Sequence, residues 1–320
     1  MKDLVEKPAV VQEAAEKNAG LNWILEIIVF VAMFIVITIA QMIILTPGQI
    51  ILFSMDSTYQ AAVSTGDKEV IMEAAMKLSE TDFYTILTLF SDIAMILVVC
   101  LFCRLIQKRG LHTIGFCKTH ILKEYIIGLA AGFLFFSVAV LLGVLTGGLS
   151  ITGFSPKFSI GIFILYLLGF MIQGMAEEVL CRGYMMVSFA RKYPMVVAIL
   201  VNSIFFAMLH LFNNGITVLA FINLVLFGIF ASFYFIRRGN IWGIGAFHSI
   251  WNLVQGNFYG ISVSGMNSGN SLLITTAHDG KELLNGGAFG MEGSIWVTVV
   301  LLAGIIFFYT RKNHKEEDAQ

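Results

Sequence analysis

Apolar stretches close to membrane-spanning length recur in this chain from Leu21 to Tyr309. That recurrence constrains the fold more than any motif, because a bilayer interior offers no water to backbone N–H and C=O groups. A run of about 20 apolar residues satisfies those groups internally as a helix and is long enough to cross. Eight such runs can be counted, at about 21–45, 84–103, 124–147, 158–189, 195–212, 216–236, 241–259 and 294–310. Composition agrees: the chain is 58% hydrophobic and 13% charged over 320 residues, which leaves no room for a separate soluble domain. The sequence therefore predicts an all-α, polytopic membrane helical bundle of about eight transmembrane helices.

Basic residues orient it. With the N-terminus inside, 16 of the 20 lysines and arginines fall on one side, among them Arg104, Arg191, Arg237 and Arg311. Only Lys68, Lys77, Lys157 and Lys281 fall on the other. Both termini are expected in the cytosol. The first apolar run is too long for a cleavable signal and reads as an anchor that stays.

Residues 1–20 form a polar N-terminal lead with the character of a short amphipathic helix on the inner surface. Residues 21–119 hold the first membrane helices and a long external connection, in which Asp67 to Glu80 carries apolar residues at helical spacing. Residues 261–320 comprise an external loop, the last transmembrane helix and a charged tail; the Gly-, Ser- and Asn-rich stretch 260–293 reads as flexible. Cys100, Cys103, Cys117 and Cys181 read as reduced thiols, and the Cys100–Cys103 spacing inside an apolar helix reads as packing.

Glu177 and Glu178 stand side by side inside the fourth apolar run. Each intramembrane carboxylate costs about 3 kcal/mol on insertion scales, so the pair marks a functional site. Glu178 and Arg182 are spaced i, i+4 and share a helix face, which predicts an ion pair. Glu177 points roughly 100° away and keeps its carboxylate for chemistry. The same i, i+4 spacing joins Phe206 to His210, His248 to Asn252, and Gln173 to Glu177. Asn202, Asn223, Gln173 and Asp92 read as helix–helix hydrogen-bonding groups. Two acids, an arginine, two histidines and an amide between residues 177 and 252 exceed what packing requires.

Such a set can hydrolyse a bond. Glu177, acting with His210, would take a proton from water, and His248 with Asn252 would stabilise an oxyanion. Glu178 and Arg182 would hold the geometry. A metal reading competes: Glu178, His210 and His248 form a zinc-type ligand set with the other glutamate left as base. The H-E-x-x-H helix is absent, and the metal-free glutamate mechanism is preferred; a divalent ion such as zinc is the cofactor left open. On straight helices the two histidines would differ by about 10 Å in depth, unless the turn at Arg191–Pro194 dips into the protein.

Glu177-Glu178-x-x-x-Arg182, Phe206-x-x-x-His210 and His248-x-x-x-Asn252, in this order on successive apolar helices, resemble the CPBP family. These are the CAAX proteases and bacteriocin-processing proteins, also called the Abi family and related to the Rce1-type prenyl endopeptidases. The similar region, about 120–260, would be the catalytic core. The resemblance implies an intramembrane endopeptidase that cuts a membrane-associated or lipidated peptide or protein, with Glu177 activating water. It places the protein in a bacterial cell membrane, with the bilayer as its surroundings and no nucleic-acid partner. Cys181 departs from the pattern, since the family often has an aromatic residue before the arginine. The other readings are a proton-coupled transporter, which would spread polar residues over both halves, and a non-proteolytic scaffold or immunity protein on the same fold.

Overall fold

The computed structural model describes residues 7–267 and 269–310. Part of the predicted N-terminal lead and the charged tail from Arg311 lie outside the described residues. Helix α1 (Ala9–Lys17) buries Val10, Val11 and Ala14, and so has the amphipathic character its sequence predicts. α2 (Trp23–Met55) begins at Asn22, whose side chain accepts the Leu25 N–H. It continues through Pro47 to residue 55, ten residues past the end predicted for the first span. Asp56 and Asp67 cap two short helices, α3 (Ser57–Thr65) and α4 (Lys68–Ser79), so the helix expected between Asp67 and Glu80 is present. α5 (Asp82–Ser91) and α6 (Ile93–Leu101) meet at Asp92, and a π-helical turn, Phe102–Ile106, ends that stretch.

α7 (Ile121–Leu145) leads into strand β1 (Leu149–Phe154). α8 (Ile160–Glu178) passes through a π-helical stretch, Val179–Met186, into α9 (Val187–Lys192). Then follow α10 (Met195–Met208), α11 (Val218–Arg238) and α12 (Trp242–Leu253), the last extended by a π turn at Val254–Phe258. β2 (Leu273–Ala277), the single-turn α13 (Glu282–Asn285) and α14 (Ile295–Thr310) complete the described chain.

Among the described residues five helical stretches are long and apolar enough to cross a membrane: Trp23–Met55, Asp82–Ile106, Ile121–Leu145, Ile160–Lys192 and Val218–Arg238. Met195–Met208 and Ile295–Thr310 are apolar but shorter. The all-α membrane bundle stands, while the count of about eight spans is not confirmed. Apolar side chains left exposed on α2, such as Ile28, Ile35, Ile39 and Ile43, suit a face turned to lipid.

α12 packs against both α7 and α8. Gly128 and Gly132 let α7 approach the carbonyls of Gly243 and Phe247, and Gly174 lets α8 approach the Ser249 backbone. A Cβ at any of the three would overlap backbone atoms of α12. Membrane helices gain their contacts through such close approach, because lipid is as apolar as their side chains. The Gly174–Ser249 contact also sets Glu178 beside His248.

Every residue from Glu178 to Arg191 is buried. The chain from Glu178 to Arg191 thus runs inside the protein, but Lys192 and Pro194 are exposed, so the turn at Arg191–Pro194 does not dip inward. Arg191 donates to Glu26 Oε1 at 3.0 Å, and α1 packs on α9 over this end. The predicted flexible loop 260–293 is instead folded. Its order follows from two amides that break the apolar pattern at the end of α12. Gln255 donates to the Ser262 carbonyl at 2.5 Å, and Asn257 donates to the Asn270 carbonyl at 2.6 Å. β2 then pairs antiparallel with β1, with an irregularity between Ile151 and Gly153.

Candidate active site

Glu178 and Arg182 have fully buried side chains, and Arg182 Nη1 donates to Glu178 Oε1 at 2.8 Å. The π-helical stretch starts immediately after Glu178, yet the predicted i, i+4 pair survives it. π turns of this kind concentrate at functional sites because they re-aim side chains within a helix. The Arg182 guanidinium lies 4.9 Å from the Phe206 ring centroid and 5.8 Å from that of Phe227. The Phe206 ring face therefore covers the cation where water is excluded.

His248 joins the two acids. Its Nδ1 is 2.9 Å from Glu178 Oε1, and its Nε2 is 3.7 Å from Glu177 Oε2. With Glu178 ionised beside Arg182, Nδ1 carries the hydrogen and donates it, and Nε2 is turned toward Glu177. The 3.7 Å separation is too long for a direct hydrogen bond. Phe227 (4.8 Å between centroids) and Phe206 (6.0 Å) hold the imidazole from the side.

Glu177 is the more open acid, with its side chain 20% exposed against 0% for Glu178. Its Oε1 accepts from Gln173 Nε2 at 2.5 Å, and Gln173 Oε1 accepts from Asn252 Nδ2 at 2.9 Å. Its Oε2 is buried without a hydrogen-bond partner. The structure thus ties Asn252 to Glu177 through Gln173, a residue whose i, i+4 relation to Glu177 was legible but which read as structural. Asn202 and Asn223 do take the structural part: Asn202 donates to Ser232 Oγ, and Asn223 donates to the carbonyls of Glu292 and Ser294.

These groups face a cavity of about 290 Å³ lined by Gln173, Glu177, His210, His248 and Asn252 among others. His210 sits just past the end of α10, with Nδ1 2.9 Å from the Phe206 carbonyl. A carbonyl accepts only, so Nδ1 is the protonated nitrogen and the neutral ring offers Nε2 as an acceptor. The two histidines flank Phe206, which brings them to one level despite their separation along the chain. Cys181 also lines the cavity, and none of the four cysteines is in a disulfide. Asp92 and Gln41, on the N-terminal helices, line it as well.

The metal set Glu178, His210 and His248 is a different matter. Among the described residues no three His, Cys, Asp or Glu side chains are grouped to hold a metal ion. Glu178 Oε1 already takes both Arg182 and His248, and the adjoining guanidinium repels a cation. The residues as arranged do not fit that ligand set.

Residues 159–254 match the family model described as type II CAAX prenyl endopeptidase, Rce1-like. That segment is similar to the core of a CAAX-type membrane protease. The matched segment contains every residue of the Glu178–Arg182, Phe206–His210 and His248–Asn252 pairs, together with Gln173 and Glu177. No curated protein and no solved structure matches the chain. The family and the apolar helices make it an integral membrane protein and a hydrolase acting on a peptide or protein at the membrane.

Proposed function

We propose that this CAAX-type protease cuts its substrate within the membrane, with Glu177 as the base that activates water. The observation that carries the reading is the placement of Glu177. It faces the cavity with one oxygen held by Gln173 and the other 3.7 Å from His248 Nε2. A water molecule bound at Glu177 Oε2 would give up its proton to the carboxylate while its oxygen attacks the peptide carbonyl carbon. Glu177 would then pass that proton to the amine nitrogen as the C–N bond breaks.

The other residues divide the remaining work. His210 Nε2 is an acceptor and suits orienting the water beside Glu177. Asn252 uses one amide hydrogen on Gln173 and keeps a second for the oxyanion; His248 Nε2 serves the same charge once protonated. Glu178 and Arg182 fix the His248 ring, as a carboxylate behind a histidine does in other hydrolases. The substrate is a membrane-associated or lipidated peptide, in keeping with the family description. The lysine and arginine distribution supports cytosolic termini, in a bacterial cell membrane.

Glu177→Gln keeps the Gln173 contact and removes the base. Membranes carrying this variant should lack the new peptide termini that the native chain produces, while the variant is inserted and thermally as stable as native. Retained cleavage would sink the assignment. A transporter reading gains no support, since the polar groups converge on one cavity built around the matched segment.

A further inference from the structure

The cavity has a polar wall that the matched segment does not build. Gln41 of α2 and Asp92, between α5 and α6, both line it, and both lie outside residues 159–254. Gln41 Nε2 donates to Asp92 Oδ1 at 2.6 Å, joining two helices across the wall. α5 runs alongside α8 in the same direction. At one end Tyr166 donates to Asp82 Oδ1 at 2.8 Å, and further along Leu89 lies against Gly169. Three residues beyond Leu89, Asp92 lines the same cavity as Gln173 and Glu177. From the same helices and α8 the cavity is also lined by Phe34, Thr88, Leu89, Met95 and Phe170, of which only Thr88 is polar.

A hydrogen bond between helices needs only neutral partners, and an acid costs more to bury than an amide would. Asp92 therefore calls for a use beyond holding α2. A carboxylate accepts on both oxygens, and Gln41 occupies one. A peptide lying in the cavity carries backbone N–H groups that are expensive to leave unpaired away from water. Glu177, His248 and Asn252 serve the edge that reacts. We propose that Asp92, oriented by Gln41, accepts a backbone N–H of the substrate and sets the register in which the scissile bond meets Glu177. The assignment rests on the protease reading above and extends the substrate site onto helices outside the matched segment.

The test begins with terminal-peptide mass spectrometry of membranes from cells carrying the native chain or Glu177→Gln. A synthetic peptide spanning a cleavage site found that way then serves as probe for the full-length protein in proteoliposomes. Asp92→Asn keeps the side-chain shape and an acceptor for Gln41, and Asp92→Ala removes both oxygens. The loss of this hydrogen bond should raise KM about tenfold in Asp92→Asn and further in Asp92→Ala, with kcat within about threefold of native. A merely structural role would lower the active fraction, and so kcat, without moving KM. If Glu177→Gln abolishes cleavage while both Asp92 variants keep the native KM, the Asp92 assignment alone falls. If Glu177→Gln membranes keep every terminus seen with the native chain, the protease reading falls and this assignment with it.

Discussion

Replacing Arg182 with methionine tests the physical core of the site. Methionine nearly matches the volume of the arginine stem, so packing is largely kept and the cation alone is removed. What remains is the Glu178 carboxylate, fully buried and stripped of its 2.8 Å partner. Breaking a buried ion pair from one side costs about 3–5 kcal/mol because of the orphaned charge. The guanidinium over Phe206 at 4.9 Å contributes about 1–2 kcal/mol of cation–π energy within that loss. The double variant Glu178→Gln/Arg182→Met leaves no orphaned charge, so it should recover about 2 kcal/mol or more of the single variant's loss. Cys103 and Cys181 are 0% exposed, so a thiol-reactive dye reports unfolding in detergent as they become accessible. Two outcomes would refute the reasoning: Arg182→Met unfolding within about 1 kcal/mol of native, or a double variant no more stable than the single.

The remaining expectations are narrower. Gln173→Leu breaks the link between Asn252 and Glu177, and turnover of a cleaved peptide should fall about tenfold or more, one oriented hydrogen bond being worth about 1–2 kcal/mol; unchanged kcat would remove Gln173 from the site. Gly174→Val drives a side chain into the Ser249 backbone and should cost about 1–3 kcal/mol in the same thiol assay, together with activity, because it parts Glu178 from His248. Native stability in that variant would mean that α8 and α12 need no close approach there.

Much of the site was legible in the sequence because helical spacing is local. The Glu178–Arg182 pair, the contact of Phe206 with His210 and the partnership of Gln173 with Glu177 all follow from i, i+4 geometry, and each occurs. Partners on different helices were not legible. That His248 sits between both acids, and that Asn252 donates to Gln173, only the structure shows. Asp92 read as an internal hydrogen-bonding residue and does bond Gln41 between helices, but nothing in its own segment indicates which cavity α5 and α6 will border. The loop 260–293 read as mobile from its glycines, serines and asparagines. It folds because Gln255 and Asn257, buried at the end of α12, bind its carbonyls.

By itself, then, the sequence determined the solvent and the periodicity. Its apolar runs demand helices in a bilayer, and an acid pair that lipid penalises demands a purpose. Which acid keeps its carboxylate out of the ion pair was already implied by a rotation of roughly 100° between neighbours on one helix. Tertiary structure alone decided what surrounds that acid. Glycine contacts at Gly128, Gly132 and Gly174 set α12 against α7 and α8, and that approach places His248 between Glu177 and Glu178. Phe206, between the two imidazoles, brings His210 level with it. Contacts between helices depend on shape over the whole bundle, and no local spacing encodes them.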